Sequence, residues 1–438
     1  MTEPVESRTP VAASMREPAV YRPFALLGLA ATLAGGIPLG VWMLAWLYLG
    51  VAAVPAEWIQ LHAHVQIFGF FGTLIMGVAQ HLLPRFTGRR VSRSPFMRWP
   101  LGLQVAGLAL RIVGTAAQRP ELVLLAASLQ AAAFLLFAGW VWRALDPRPL
   151  LFLRWHLTVS SAWLGGACAL ETWLRAEALG AEAPLPALAG LRLVQVMGLF
   201  GGVLGWVLGV LLRAGPMFLP RWRAPARAAR ALPGLLALGV GIAASSAAPG
   251  FRAEAGLALA GLGEFIVLST AAGFLLLGGA LRPARGALPM VARSPEEAQI
   301  FRVAMLSGGG AVLGSGATVA AAWAGFDVRL LGDAVRHLLT VGVLTSVVVA
   351  MVFRLVPVLE GRALPWPRLR RVALWSLAAG IVLRSAEVLI GLGWLALAPW
   401  IPLSGLLVWV AVACVGVNLV AAIGAGPHGP LGAPEGRP

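Results

Sequence analysis

Two histidines and two arginines in this sequence stand at one fixed spacing. The separation of His64 from His337 along the chain equals the separation of Arg111 from Arg384. All four lie within apolar stretches, where ionisable side chains are costly and usually functional. Imidazoles can bind haem iron axially, and the planar fork of arginine can bind both oxygens of a carboxylate. The four residues therefore predict a haem b site, with His64 and His337 on the iron and the arginines on the propionates.

Three more residues accompany this pattern. Gly69 and Gly342 each follow one of the paired histidines by five residues, and they would let helices or a flat macrocycle approach closely. Arg336 adjoins His337 and would meet either a propionate or the headgroup boundary. These residues join the predicted cofactor-binding set.

The remaining histidines leave alternatives open. His62 cannot face the same iron as His64, because residues two apart point in nearly opposite directions on a helix. The spacing shared with the arginines selects His64. His62 is then a second metal ligand, a hydrogen-bond partner or an interfacial residue. His81 and His156 could form a further site, for example for copper, but the preferred interpretation places both at the membrane interface.

The composition predicts that helices crossing a lipid bilayer position these residues. Of the 438 residues, 59% are hydrophobic and only 12% are charged, as expected for a protein whose outer surface contacts lipid. We predict a cytoplasmic tail over 1–22, a membrane domain over 23–424 and a disordered tail over 425–438. The predicted spans are 23–52, 58–83, 99–118, 122–143, 153–177, 187–212, 231–249, 254–281, 299–324, 330–355, 370–393 and 395–421.

The arginines predict the orientation of the chain. All 34 basic residues are arginine, and they concentrate in alternate loops between the predicted spans. Positively charged loops mark the cytoplasmic side. The pattern predicts twelve spans in a bacterial inner membrane, with both termini in the cytoplasm. It assigns the net charge of +16 to topology rather than to nucleic-acid binding.

The chain also carries an internal repeat. Similar phrases, "GVAQHLLPRFTGR", "LLRAGPMFLPRWR" and "VFRLVPVLEGR", end the second, sixth and tenth predicted spans. Aligning Pro84, Pro220 and Pro357 gives two nearly equal offsets, each of which contains four spans. In that alignment the middle unit has Phe200 in place of the histidine and Ala247 near the arginine position. We predict an all-α integral membrane fold of three four-helix pseudo-repeats.

Two segments of the sequence resemble a known family. The segments "WIQLHAHVQIFGFFGTLIMGVAQHLLPRFTGRR" and "DAVRHLLTVGVLTSVVVAMVFRLVPVLEGR" are similar to the NnrS family of membrane haem proteins. The resemblance implies haem, and also copper, in a protein linked to the bacterial response to nitric oxide. It makes His62, His64 and His337 the candidate metal ligands.

A more distant similarity links the chain to subunit I of haem–copper oxidases and to nitric oxide reductases. The chain departs from that pattern, because its sixth and seventh predicted spans contain no histidine. A binuclear centre is therefore not expected, whereas a single low-spin haem is. Three functions stay open: a haem protein in nitric oxide response or tolerance, a divergent electron-transfer subunit acting as an oxidoreductase on nitric oxide or oxygen, and a haem-free transporter.

Overall fold

All regular structure in the described residues is helical, as the sequence predicts. The computed structural model describes residues 19–88, 94–145, 147–218, 222–223, 225–246, 253–279, 295–360 and 363–424, so most of the first predicted tail and all of the second lie outside them. The long helices are α1 Arg22–Leu49, α2 Ala56–Phe86, α3 Arg98–Ala116, α4 Pro120–Ala144, α5 Pro147–Gly180, α6 Leu188–Pro216, α7 Ala226–Ser245, α8 Ala253–Leu277, α9 Pro295–Trp323, α10 Arg329–Glu360, α11 Leu369–Gly391 and α12 Leu395–Gly424.

Ten helices in the described residues are long and apolar enough to cross a membrane, and α3 and α5 are not among them. Both carry buried polar side chains, among them Gln104 and Arg111 in α3 and His156 and Glu171 in α5. Such side chains lower the hydropathy of a helix without exposing any charge to lipid. The chain is a multi-pass membrane protein, and membrane crossing by α3 and α5 remains a prediction.

The helices pack mainly against their neighbours in sequence and close into a ring. The helices α3, α4 and α5 pack in series, as do α7, α8 and α9, while α12 packs on both α11 and α1. Large apolar side chains, including Leu306, Leu313 and Val382, are exposed on the outside. Such a surface is stable against lipid and unstable against water.

Four helices contain a π-helical segment in the described residues, a five-residue one at Thr32–Gly36 in α1 and eight-residue ones in three others. The eight-residue segments are Val65–Gly72 in α2, Met197–Leu204 in α6 and Leu338–Thr345 in α10. π-helical turns are rare and occur mostly at functional sites. The first and third of the eight-residue segments begin directly after His64 and His337.

Each eight-residue π-helical segment also stands at a constant distance in sequence from a proline. Pro84, Pro216 and Pro357 lie inside their helices, and each follows the first residue of its segment by the same number of positions. The prediction aligned the middle unit on Pro220, which lies outside the described residues. The helical geometry instead aligns Pro216.

This register corrects the residues matched in the middle unit. Val196, rather than Phe200, takes the position of His64, because each directly precedes a π-helical segment. Ala243, rather than Ala247, then takes the position of Arg111. The middle unit is still apolar at both positions. The threefold repeat itself remains a prediction.

Candidate functional site

A cavity of about 650 Å³ lies between α1, α2, α6, α10, α11 and α12. Two imidazoles line it, His62 from α2 and His337 from α10. Charged side chains also line the cavity, namely Arg192, Glu264, Arg329, Asp333, Arg336, Arg384 and Glu387. Uncharged polar residues, including Gln60, Gln66 and Gln195, and a larger number of apolar residues form the rest of its wall. The cavity therefore has an apolar body and a charged margin.

The His62 ring is fixed by the neighbouring helix α1. Its Nδ1–H donates to the main-chain oxygen of Gly36 over 2.7 Å. The ring packs on Gly40, where an added Cβ would stand 2.8 Å from the His62 Cε1. Within the described residues Nε2 of His62 has no hydrogen-bond partner. The ring therefore offers one free nitrogen in a fixed orientation.

His337 is held in a similar way from its own helix. Its Nδ1–H donates to the main-chain oxygen of Asp333 over 2.9 Å, and the Asp333 carboxylate lies 3.5 Å from the same nitrogen. In the described part of the chain Nε2 has no hydrogen-bond partner either. Hydrogen bonding at Nδ1 sets the tautomer in which Nε2 can bind a metal.

Arg384 stands between two carboxylates at the cavity margin. Its guanidinium donates to Asp333 on α10 and to Glu387 one turn further along α11. Arg384 and Glu387 therefore form an ion pair within α11. The Tyr48 hydroxyl also donates to Glu387, which ties the end of α1 to α11.

Three other arginines reach the cavity. Arg192 pairs with Glu264 over 3.3 Å, and Arg336 lies 3.4 Å from Asp333. Arg329 pairs with Asp327 just outside the start of α10. Hydrogen bonds from Arg329 lower the pKa of Asp327 to about 2, so this carboxylate stays charged at any physiological pH. The cavity margin thus alternates positive and negative groups.

His64 is not on this cavity, contrary to the predicted pairing with His337. Its Nδ1 lies 3.0 Å from a carboxylate oxygen of Glu171, and its Nε2 lies 2.6 Å from Oε1 of Gln130. Both ring nitrogens are therefore occupied by side chains of α4 and α5. The ring is buried inside the group formed by α2, α3, α4 and α5, away from the cavity wall.

Arg111 lies in the same buried cluster as His64 and does not line the cavity. Its guanidinium lies 2.6 Å from Glu171, which also pairs with Arg175 over 2.8 Å. The structure therefore separates the predicted set into two places. His337, Arg384, Arg336 and His62 meet at the cavity, whereas His64 and Arg111 form a second buried cluster.

The two predicted glycines serve helix packing. A Cβ on Gly69 would stand 3.1 Å from Leu108 of α3, and one on Gly342 would stand 2.5 Å from Ser307 of α9. Neither glycine lines the cavity. Of the two roles predicted for them, close approach of helices is the one present.

His81 and His156 are both buried in the protein. The His81 ring packs edge-on against Tyr21, and Nε2 of His156 donates to the main-chain oxygen of Gly205 over 2.8 Å. No group of three or more metal-binding side chains occurs among the described residues. These two histidines do not assemble a copper site of that kind there.

Several residues of the site escaped the sequence prediction. Gly36 and Gly40 carry a local signal, since two glycines one turn apart permit close approach of another helix. Asp333, four residues before His337, lies on the same helical face and could have been paired with it. Gln130 gives no such signal, because its partner His64 lies on a distant helix.

The fold has a counterpart among solved structures. The cryo-EM structure of a haem–copper terminal oxidase dimer matches with a TM-score of 0.66 and 15% sequence identity, and the match covers 94% of this chain and 85% of that one. At this identity the match concerns the fold alone. No curated protein matches the chain.

The sequence matches one family model along nearly its whole length. This model, described as NnrS protein, matches residues 20–423. The match includes α2 and α10, which bring His62 and His337 to the cavity. The chain is therefore a member of the NnrS family, with an oxidase-like fold.

Proposed function

We propose that the chain binds one b-type haem in the cavity lined by α2 and α10, where His62 and His337 would bind its iron. One observation carries the proposal. Two imidazoles from different helices line one cavity, and each has Nδ1 held by a main-chain oxygen while Nε2 has no partner in the described residues. That arrangement fits the chemistry of a haem iron held by two histidines.

The charged margin of the cavity fits the propionates of the same group. Arg336 and Arg384 are the candidates from the predicted set, and Arg192 is a third. Arg384 already has Asp333 and Glu387 as partners, so it would hold a propionate within a shared network. Haem held in this way supplies one-electron transfer, and the protein fixes its orientation and excludes water from its apolar faces.

A resident copper ion has less support. Within the described residues no three histidine, cysteine or carboxylate side chains form a metal group. His64 cannot join one in its present arrangement, since Glu171 and Gln130 occupy both of its ring nitrogens. We derive no step through copper.

We also propose that all twelve helices cross the bacterial inner membrane, with both termini in the cytoplasm. The buried polar residues of α3 and α5 pair with each other across the interior, for example Arg111 with Glu171. Both helices can therefore present apolar faces to lipid. The three eight-residue π-helical segments, each at the same distance in sequence before a proline, support three related units.

The role that fits best is haem-based handling of nitric oxide, in response to it or in tolerance of it. This part rests on membership of the NnrS family, whose resemblance implies that role. The oxidase-like fold favours a second candidate, a divergent electron-transfer subunit that acts as an oxidoreductase on nitric oxide or oxygen. A haem-free transporter is the third.

Purified protein separates these candidates. We expect a reduced-minus-oxidised haem b spectrum that His62→Ala and His337→Ala each abolish. His156→Ala is the matched control, because it removes a buried histidine away from the cavity. Consumption of nitric oxide or oxygen by the reduced protein would favour the second candidate. If the native protein contains no haem, the transporter is the one candidate of the three that remains.

A further inference from the structure

A buried charged cluster lies outside the haem cavity and has no part in the proposed function. Glu171 of α5 is its centre, paired with Arg111 over 2.6 Å and with Arg175 over 2.8 Å. His64 contacts the other carboxylate oxygen over 3.0 Å and Gln130 over 2.6 Å. The cluster joins four helices, α2 to α5.

The cluster carries more positive than negative charge. Two guanidiniums face one carboxylate, so the net charge is at least +1. Both ring nitrogens of His64 face acceptor oxygens, and a proton on each of them adds to this charge. The side chains of Arg111, Glu171 and Arg175 are 2%, 2% and 9% exposed. An unbalanced charge at such burial is strongly unfavourable unless an opposite charge joins it.

The corresponding place in the third unit contains the missing negative charge. There Arg384 has two carboxylates, Asp333 and Glu387. At the offset that relates Arg384 to Arg111, the residues in the first unit are Gln60 and Gly114. The first unit has therefore kept its arginine without either of those carboxylates, and Glu171 supplies only one in their place.

Two buried donors of the cluster have no acceptor in the described residues. They are Nη1 of Arg111 and Nε2 of Gln130. A buried N–H group without a partner costs free energy that a bound acceptor would recover. The excess positive charge and the two unpaired donors therefore both indicate that a negatively charged acceptor is missing from the cluster.

We propose that this cluster is a binding site for a small monovalent inorganic anion, of the size of a halide or nitrite. The anion accepts from Arg111 and Gln130 and takes the place of the carboxylate that the third unit has. It offsets the excess positive charge of the cluster and so stabilises the packing of α2, α3, α4 and α5. The site is independent of haem.

The test compares chloride with gluconate, which is too large for a closed site, at equal ionic strength. We expect chloride to raise the Tm of the full-length purified protein in a saturable way, by on the order of 3 °C. Gln130→Glu supplies a fixed negative charge, so this variant should be as stable in gluconate as the native protein is in chloride. Its Tm should not respond to chloride.

The exposed pair of Arg119 with Glu121 gives the matched control. Arg119→Gln should keep the full chloride effect, because it removes an arginine outside the cluster. Bromide in crystals should give an anomalous peak beside Arg111. Equal Tm values in the two salts with no bromide peak, or a full chloride effect in Gln130→Glu, would overturn the proposal.

Discussion

At the scale of single residues, the cavity is defined by which imidazole nitrogen is held and which is free. His62 and His337 each have Nδ1 on a main-chain oxygen, at 2.7 and 2.9 Å. A main-chain acceptor cannot be removed by substitution of its own side chain. The environment of these rings can therefore be altered at neighbouring positions without loss of the ring orientation.

Asp333 is such a position, because its carboxylate lies 3.5 Å from Nδ1 of His337. Asp333→Asn removes a negative charge beside the ligand and disfavours the oxidised iron, which carries the additional positive charge. We expect the haem midpoint potential to rise by tens of millivolts in a redox titration. Glu121→Gln, an exposed carboxylate far from the cavity wall, should leave it unchanged. A lower potential in Asp333→Asn would contradict this account.

Glu171 gives a prediction about stability. Glu171→Gln leaves Arg111 and Arg175 buried without a counter-charge, and breaking a buried pair from one side costs about 3–5 kcal/mol. Thermal unfolding should show a clear fall in Tm. Glu171→Asp, which keeps the charge, should recover part of it. Equal losses in the two variants would mean that side-chain length, not charge, decides stability.

The sequence predicts which histidines and arginines are equivalent, but it does not predict which of them face each other. The shared offset of His64 to His337 and Arg111 to Arg384 predicts equivalent positions. If the units are related by rotation, equivalent residues occupy corresponding places in different units, so they do not face each other. The offset therefore indicates two copies of a histidine–arginine pair, and a different carboxylate joins each of them, Glu171 in one and Asp333 in the other. Whether a histidine faces the cavity or the buried cluster depends on how the helices pack, and the spacing of residues in the sequence does not determine this.

At the scale of helices, α1 decides the position of the His62 ring. Gly40→Ala would place a Cβ 2.8 Å from Cε1 of this ring and displace it. We expect the haem content of the purified protein to fall. Gly102→Ala is the control, since a Cβ there meets nothing within 4 Å. That substitution should keep the haem and stabilise α3 by up to about 1 kcal/mol. Full haem content in Gly40→Ala would argue against His62 as a ligand.

The contact of α9 with α10 gives a second helix-scale prediction. Gly342→Ala would bring a Cβ to 2.5 Å from Ser307, and overpacking of this kind costs about 1–3 kcal/mol. Ser307→Gly in the same chain removes the clash and should restore most of the lost Tm. If Ser307→Gly does not restore the Tm, the clash of Gly342→Ala involves a neighbour other than Ser307.

At the scale of the whole molecule, the arginine distribution predicts which loops face the cytoplasm. Reporter fusions after residue 88 and after residue 145 should give cytoplasmic signals, and fusions after residues 117 and 183 should give signals from the opposite side. This order requires α3 and α5 to cross the membrane. The same signal on both ends of α3 would contradict the twelve-span topology.

Much of the global arrangement could be predicted from sequence because it follows from composition. Apolar length fixes the helices, and the predicted spans overlap all the long helices of the structure. Hydropathy alone does not identify α3 and α5 as membrane spans, because it does not distinguish a charge facing the interior from one facing lipid. Arg111 in α3 and Glu171 in α5 are buried in the interior. The buried charged cluster therefore lowers the hydropathy of the two helices, α3 and α5, that carry Arg111 and Glu171.

The π-helical segments have a consequence for how this molecule can change over generations. A π turn holds about one residue more than an α turn, and one residue corresponds to about 100° of helix rotation. Deleting a residue between Val65 and Gly72 would convert a π turn to an α turn, so the parts of α2 before and after it keep nearly the same faces. A one-codon deletion in this segment could thus be tolerated while His62 keeps facing the cavity, which the same deletion in an α turn would not allow.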